Sequence, residues 1–342
     1  MKKQKVMFTR FELFFFIILT YISYVLRNFR LPRPQIESFG EKKEIDISYA
    51  LLNGSHYTND FNYIGRMMQI LYLKVFDYNI TSITYIFTHN YSYITLRQFS
   101  SIPSIITPSI YYLSLKVYGF SVISCITGSF LVLFSPILVS ESRYYSLSGF
   151  NQLLYCIVCF LQSYFNQNKT LDLLLWYALI SSCIHSGFID PIILFLSIYS
   201  SKDRIFVNCC VFFSMYLFSK YVQQKLFYVL FPHSIDSLLP NNPKAFTGFD
   251  FSYIIFWISL SIYLFFSFRK IKFHHLGMIT SSFVLSKNQS YCFIYSSIFF
   301  LVLCINTLLK KYRRIDSCVL TLLILISSLY FIKHSPEIYM IE

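Results

Sequence analysis

The chain has 342 residues, of which 55% are hydrophobic, 20% aromatic and only 13% charged. A soluble domain carries about 25% charged residues, and one water-soluble core of this size cannot bury so much apolar surface, so a soluble globular enzyme is excluded. The formal charge of +13 would suggest nucleic acid in a soluble protein, but the basic residues stand mostly at the ends of apolar stretches, where they set topology, and no nucleic-acid partner is expected.

A spanning helix needs roughly 20 mostly apolar residues. In chain order, such helices are expected near 11–28, 96–117, 119–140, 147–165, 171–187, 189–201, 204–222, 250–268, 272–287, 290–310 and 315–333. The expected fold is therefore all-α and integral to the membrane, with about eleven transmembrane helices. The first apolar run follows Lys2, Lys3, Lys5 and Arg10. No small-x-small cleavage site follows it, and Arg27 and Arg30 close it, so an uncleaved first helix is expected. Next comes a long loop, 29–95, holding Glu37, Glu41, Glu44, Asp46, Asp60 and Asp77. Within it, Ile64, Met67, Met68, Leu71 and Val75 recur at helical spacing. They predict an amphipathic helix lying at the membrane interface. Core helices follow over 96–222, and His185-Ser186-Gly187 and Asp190-Pro191 mark a helix break. A short loop, 223–249, and four C-terminal helices, 250–333, complete a single multi-pass domain, 1–342.

Loop charge orients this layout, because Lys and Arg accumulate on cytoplasmic loops. With the N-terminus cytoplasmic, that side holds Lys116, Lys169, Lys202 and Arg204, and the clusters at 269–272 and 310–314. The long first loop is then luminal. Nine cysteines lie mostly within apolar stretches, where a cysteine acts as a small hydrophobe. Neither a disulfide framework nor a metal site is expected.

No phosphate loop, H-E-x-x-H or nucleophile elbow occurs. The candidates for chemistry are charges at membrane depth or at its surface. Glu41 could act as a general base toward a hydroxyl. Arg97, opening the second helix, could clamp a phosphate by paired hydrogen bonds. Glu141, Ser142 and Arg143 end the third helix on the same side. An acid and two arginines on one membrane face suit group transfer from an anionic lipid phosphate.

The stretch 96–150 sharpens this. Leu96-Arg97-Gln98-Phe99-Ser100, Pro108, the Gly119-Phe120-Ser121 joint and Ser142-Arg143 resemble the protein O-mannosyltransferase family. The first loop resembles it too, with Pro34, Phe39-Gly40-Glu41, Gly54, and then Asn59-Asp60-Phe61 running to Gly65-Arg66. Arg313-Arg314-Ile315 and Ser335-Pro336 look like the end of that family. The chain departs from it at three acidic positions. The family's Asp-Glu pair is Gly40-Glu41, its Asp-x-His is Asn59-x-Phe61, and an acid expected after Ser-Arg is Ser148. A luminal MIR domain common in the family is replaced by the short loop 223–249.

The resemblance implies a GT-C type glycosyltransferase of the endoplasmic reticulum membrane. It would transfer mannose from dolichyl phosphate mannose to Ser/Thr hydroxyls of secretory proteins. It implies Glu41 or Asp60 as the catalytic base, Arg97 and Arg143 as donor-phosphate contacts, and Asn59 and Arg66 as further loop candidates. No cofactor or metal is implied, only the lipid-linked donor and surrounding membrane lipid. Members of that family often work as dimers, which makes a homo- or heterodimer with a paralogue an option that the resemblance implies. Two alternatives stand beside this: an inactive partner subunit of an active transferase, and another polyprenyl-phosphate-sugar transferase or a transporter.

Overall fold

The computed structural model describes residues 9–31, 39–57, 62–75, 90–168, 170–184, 205–235, 294–295, 298–299, 301–303, 306 and 313–339. The expected helices near 189–201, 250–268 and 272–287 lie outside these residues, as does Asp190.

Helix α1 spans Arg10–Asn28. Its start is fixed by a capping box. The Thr9 hydroxyl accepts from the Glu12 amide at 3.3 Å, and the Glu12 carboxylate accepts from the Thr9 amide at 2.8 Å. Phe11, Phe14, Ile17, Tyr21 and Tyr24 form an exposed apolar stripe on this helix. The opposite stripe, Glu12, Phe15, Leu19, Ser23 and Arg27, is buried. Among the described residues α1 alone is long and apolar enough to cross a membrane as one straight helix.

The first loop is more structured than its sequence predicts. It contains α2 (Phe39–Leu52), strand β1 (Ser55–Tyr57) and α3 (Tyr63–Val75). β1 pairs in parallel with β2 (His233–Ile235), Ser55 opposite His233. The amphipathic helix is present as α3. The predicted apolar stripe includes Met68, Leu71 and Val75, which are exposed, whereas Tyr63, Arg66, Gln69, Ile70 and Leu73 face inward. An outward apolar side is the one an interfacial helix turns to lipid, while the inward side carries Arg66, which binds Glu44 of α2.

Two helices expected to be continuous are broken. The stretch 96–117 divides into α4 (Asn90–Ile105) and α5 (Thr107–Tyr118). Pro108 sits in the first turn of α5, where its missing N–H costs nothing. Gly119 closes α5 with φ +99°, the left-handed turn that favours glycine. The stretch 119–140 divides into α6 (Val122–Leu133) and α7 (Pro136–Arg143), bent by 50° at Phe134-Ser135. Pro136 cannot donate back into α6, so the ladder stops there. Next come α8 (Ser148–Asn168), α9 (Leu171–Cys183), α10 (Ile205–Leu230) and α11 (Arg313–Tyr339). α10 continues through the first part of the segment read as a loop.

The main core gathers α5, α6, α8, α9 and α10 with Ile294, Tyr295, Ile298, Phe299 and residues 301–303, around Tyr111, Leu115, Val132, Cys156, Tyr177 and Phe212. Short polar side chains join the helices. Thr20 and Ser109 share a hydrogen bond of 2.8 Å between α1 and α5. Ser182, Ser219 and Gln223 form a buried triangle between α9 and α10. Small hydroxyl residues of this kind let helix backbones approach closely in an apolar medium. A second cluster packs Ile45, Leu51, Ile70 and Leu73 of the first loop against Leu96, Phe99, Tyr145, Phe227 and Phe231. The loop is thus held over the middle of α4, the link before α8 and the end of α10.

Candidate active site

Ion pairs and caps sort the helix ends into two groups. Lys116, in the last turn of α5, pairs with Glu12 in the first turn of α1. At the other end of α1, a cluster of buried charges forms.

Glu41 lies in the first turn of α2, where a carboxylate also meets the positive end of the helix dipole. Arg97 lies midway along α4, and the two are 2% and 1% exposed. Their contact is a side-on fork. Arg97 Nε donates to Glu41 Oε1 at 2.7 Å, and Nη2 donates to Oε2 at 2.8 Å. Arg97 Nη1 donates to the Leu31 carbonyl at 2.9 Å. The backbone amide of Tyr145 donates to Glu41 Oε1 at 2.9 Å. One ion pair thereby joins the end of α1, the first loop, α4 and the α7–α8 link. The Tyr145 hydroxyl meets Ser48 of α2 at 2.8 Å, and burial pushes that phenol well above its usual range.

Arg143, the last residue of α7, does not touch Glu41. Its guanidinium donates to the carbonyls of Arg27, Phe29 and Arg30, capping the C-terminal end of α1 as a cation should. It also lies 4.5 Å over the ring of Tyr339. Arg66 binds Glu44 and Gln69, tying α3 to α2 within the loop. Asn59 and Asp60 lie outside the described residues.

Several partners escaped sequence reasoning. Glu44 and Tyr145 carry no local signal, since only their neighbours in space give them a role. Glu141 stood out in the sequence, but its partner did not: the Ser148 hydroxyl donates to its carboxylate at 3.1 Å. The position where the resembling family has an acid thus has a carboxylate beside it, supplied seven residues earlier. Cys156 and Cys159 have C-x-x-C spacing inside α8, a signal the sequence reading passed over. Both are free thiols in the bundle interior. Among the described residues no group of three or more His, Cys, Asp or Glu could hold a metal ion.

The arrangement provides an anionic and a cationic group, largely desolvated, where one helix end, two further helices and the first loop converge. The sequence model of the dolichyl-phosphate-mannose-protein mannosyltransferase family matches residues 17–189, which include this whole cluster. The chain is also 25% identical over 154 residues to dolichyl-phosphate-mannose--protein mannosyltransferase 4 of Schizosaccharomyces pombe. That match covers 44% of this chain and 20% of the relative, so the chain spans only a part of the relative's length. The chain belongs to the dolichyl-phosphate-mannose-protein mannosyltransferase family.

Proposed function

We propose that the chain is a membrane-embedded protein O-mannosyltransferase of the endoplasmic reticulum. It takes mannose from dolichyl phosphate mannose and transfers it to Ser/Thr hydroxyls in the lumen. The observation that carries this reading is the buried Glu41–Arg97 fork, which lies inside the family match and joins the first loop to the helices. The exposed apolar stripes of α1, α10 (Leu217, Phe218, Val229) and α11 (Leu325, Leu329, Ile332) support a lipid surround. The layout is eleven spans with a cytoplasmic N-terminus, a luminal first loop and the GT-C architecture, working as a dimer.

In the proposed reaction the acceptor oxygen attacks the anomeric carbon, and the bond from that carbon to the phosphate oxygen breaks. The acceptor proton passes to a carboxylate, and dolichyl phosphate leaves. Glu41 is fixed by three donors, so it and Arg97 act as one unit that orients the joint. Glu41, or Asp60 in its place, takes the proton.

The test is mannose transfer in membranes from labelled dolichyl phosphate mannose to a Ser/Thr-rich peptide. Wild type is compared with Glu41→Gln, Asp60→Asn and Arg97→Ala. The expected result is transfer by the chain, lost in Arg97→Ala and reduced about 10²–10⁴-fold in the variant that removes the base. Transfer that needs a paralogue and ignores all three substitutions would refute the proposal.

A further inference from the structure

Three arginines are buried around the end of α1, and two of them have their donors engaged. Arg97 grips Glu41 and the Leu31 carbonyl, and Arg143 grips three carbonyls. Arg27 differs. It is fully buried, in the last turn of α1. Nη1 donates to Ser23 Oγ at 2.7 Å, while Nε and Nη2 have no hydrogen-bond partner. No carboxylate among the described residues pairs with it.

The orphaned edge is informative. Nε and Nη2 are the same two nitrogens with which Arg97 holds both oxygens of Glu41. Arg27 therefore presents the same fork with nothing in it. An unpaired buried charge is strongly unfavourable, and buried donors are rarely left unused. The surroundings are polar and, among the described residues, hold no anion paired with Arg27. Cys156, Tyr295 and Tyr339 lie within electrostatic range of Arg27. The Tyr295 hydroxyl and Gln152 Oε1, one turn before Cys156 on α8, are themselves buried without partners. The cluster has acceptors and hydroxyls to spare and lacks only a negative charge.

We infer that Arg27 is the ligand of the donor's phosphate, with Nε and Nη2 each holding one non-bridging oxygen. This rests on the proposed transferase function. A phosphodiester offers two such oxygens and one negative charge, which match the empty fork. The position suits the chemistry, because four residues further along the chain the Leu31 carbonyl receives Arg97. As the bond to the sugar breaks, the phosphate gains charge, and a fixed guanidinium in a dry site stabilises that change. Arg97 and Arg143 then hold the frame around the phosphate rather than the phosphate itself.

The experiment uses the full chain in nanodiscs. Binding of dolichyl phosphate, of dolichol and of inorganic phosphate is measured alongside the unfolding midpoint of the unliganded protein. Wild type should bind dolichyl phosphate and not dolichol. Arg27→Met should weaken dolichyl phosphate binding at least tenfold, and its unliganded form should unfold at the same or a higher temperature, because an uncompensated charge has gone. A purely structural arginine would give a lower midpoint with binding intact. Arg27→Lys keeps the charge but not the fork, and should stay folded and bind several-fold more weakly. Undiminished binding in both variants overturns the inference. Equal stabilisation of wild type by inorganic phosphate and by dolichyl phosphate overturns the lipid assignment. Dolichyl phosphate binding through Arg27 without any mannose transfer would refute the transferase reading alone, whereas wild-type transfer by Arg27→Met would refute this inference alone.

Discussion

Replacing Arg97 with methionine is expected to destabilise the protein by about 3–5 kcal/mol, the range for breaking a buried ion pair from one side. The loss comes mainly from the partner left behind. Glu41 would remain buried, with only the Tyr145 amide among the donors described above to hold its charge. Glu41→Gln should cost a similar amount, because it strands the guanidinium. The informative variant is the double one, Glu41→Gln with Arg97→Met. No isolated charge remains in it, so it should be more stable than either single variant. Thermal unfolding of the four proteins in one detergent forms a double-mutant cycle. A coupling near zero would mean that the fork contributes nothing to the fold. Activity should behave differently, with the double variant regaining stability but not transfer.

The second large effect is expected at Gly149, in the first turn of α8. A Cβ added there would land on the backbone carbonyl of Ser100 in α4, with Ser100 Oγ also in contact. The Gly149 amide already donates to that hydroxyl at 3.0 Å. A backbone carbonyl cannot rotate away as a side chain can, so α4 and α8 must separate. Gly149→Ala should therefore cost about 3 kcal/mol or more, at or above the upper end for overpacking. Transfer should fall with it, because Arg97 lies one turn before Ser100 and Tyr145 lies just before α8. Gly119→Ala is the control. Its φ of +99° is unfavourable for alanine, but nothing lies within 4 Å of the added carbon, so a cost of about 1–2 kcal/mol is expected. Equal midpoints for the two variants would show that the close approach of α4 and α8 is not a constraint.

What the sequence could convey follows from what each signal measures. Hydropathy located α1, α8 and α9 within a few residues, because a long apolar run has few other uses. It missed the break at Ile106 and the bend at Phe134-Ser135, because it averages over a window and does not sense where the backbone turns. Pro108 and Pro136 marked both places and were read only as points of resemblance or not at all. At the site, Glu41 and Arg97 stood out as charges in apolar company. Their pairing was hidden, because they are 56 residues apart and only the folded first loop brings them together. Arg27 was the hardest to recognise. A cation closing an apolar run looks like an interfacial flank, and its burial depends on α8 and Tyr295, far along the chain.

The parallel pairing of β1 with β2 bears on how the protein is made. His56 bonds the carbonyl of Phe231, 175 residues later, and Phe227 and Phe231 pack against the first loop. A chain emerging from the ribosome has its first loop and α4 long before it has the end of α10. Until that segment arrives, the loop bearing Glu41 lacks the surface that latches it. The site is therefore completed late in synthesis, and a nascent chain stopped before residue 227 would contain both members of the fork without their full enclosure.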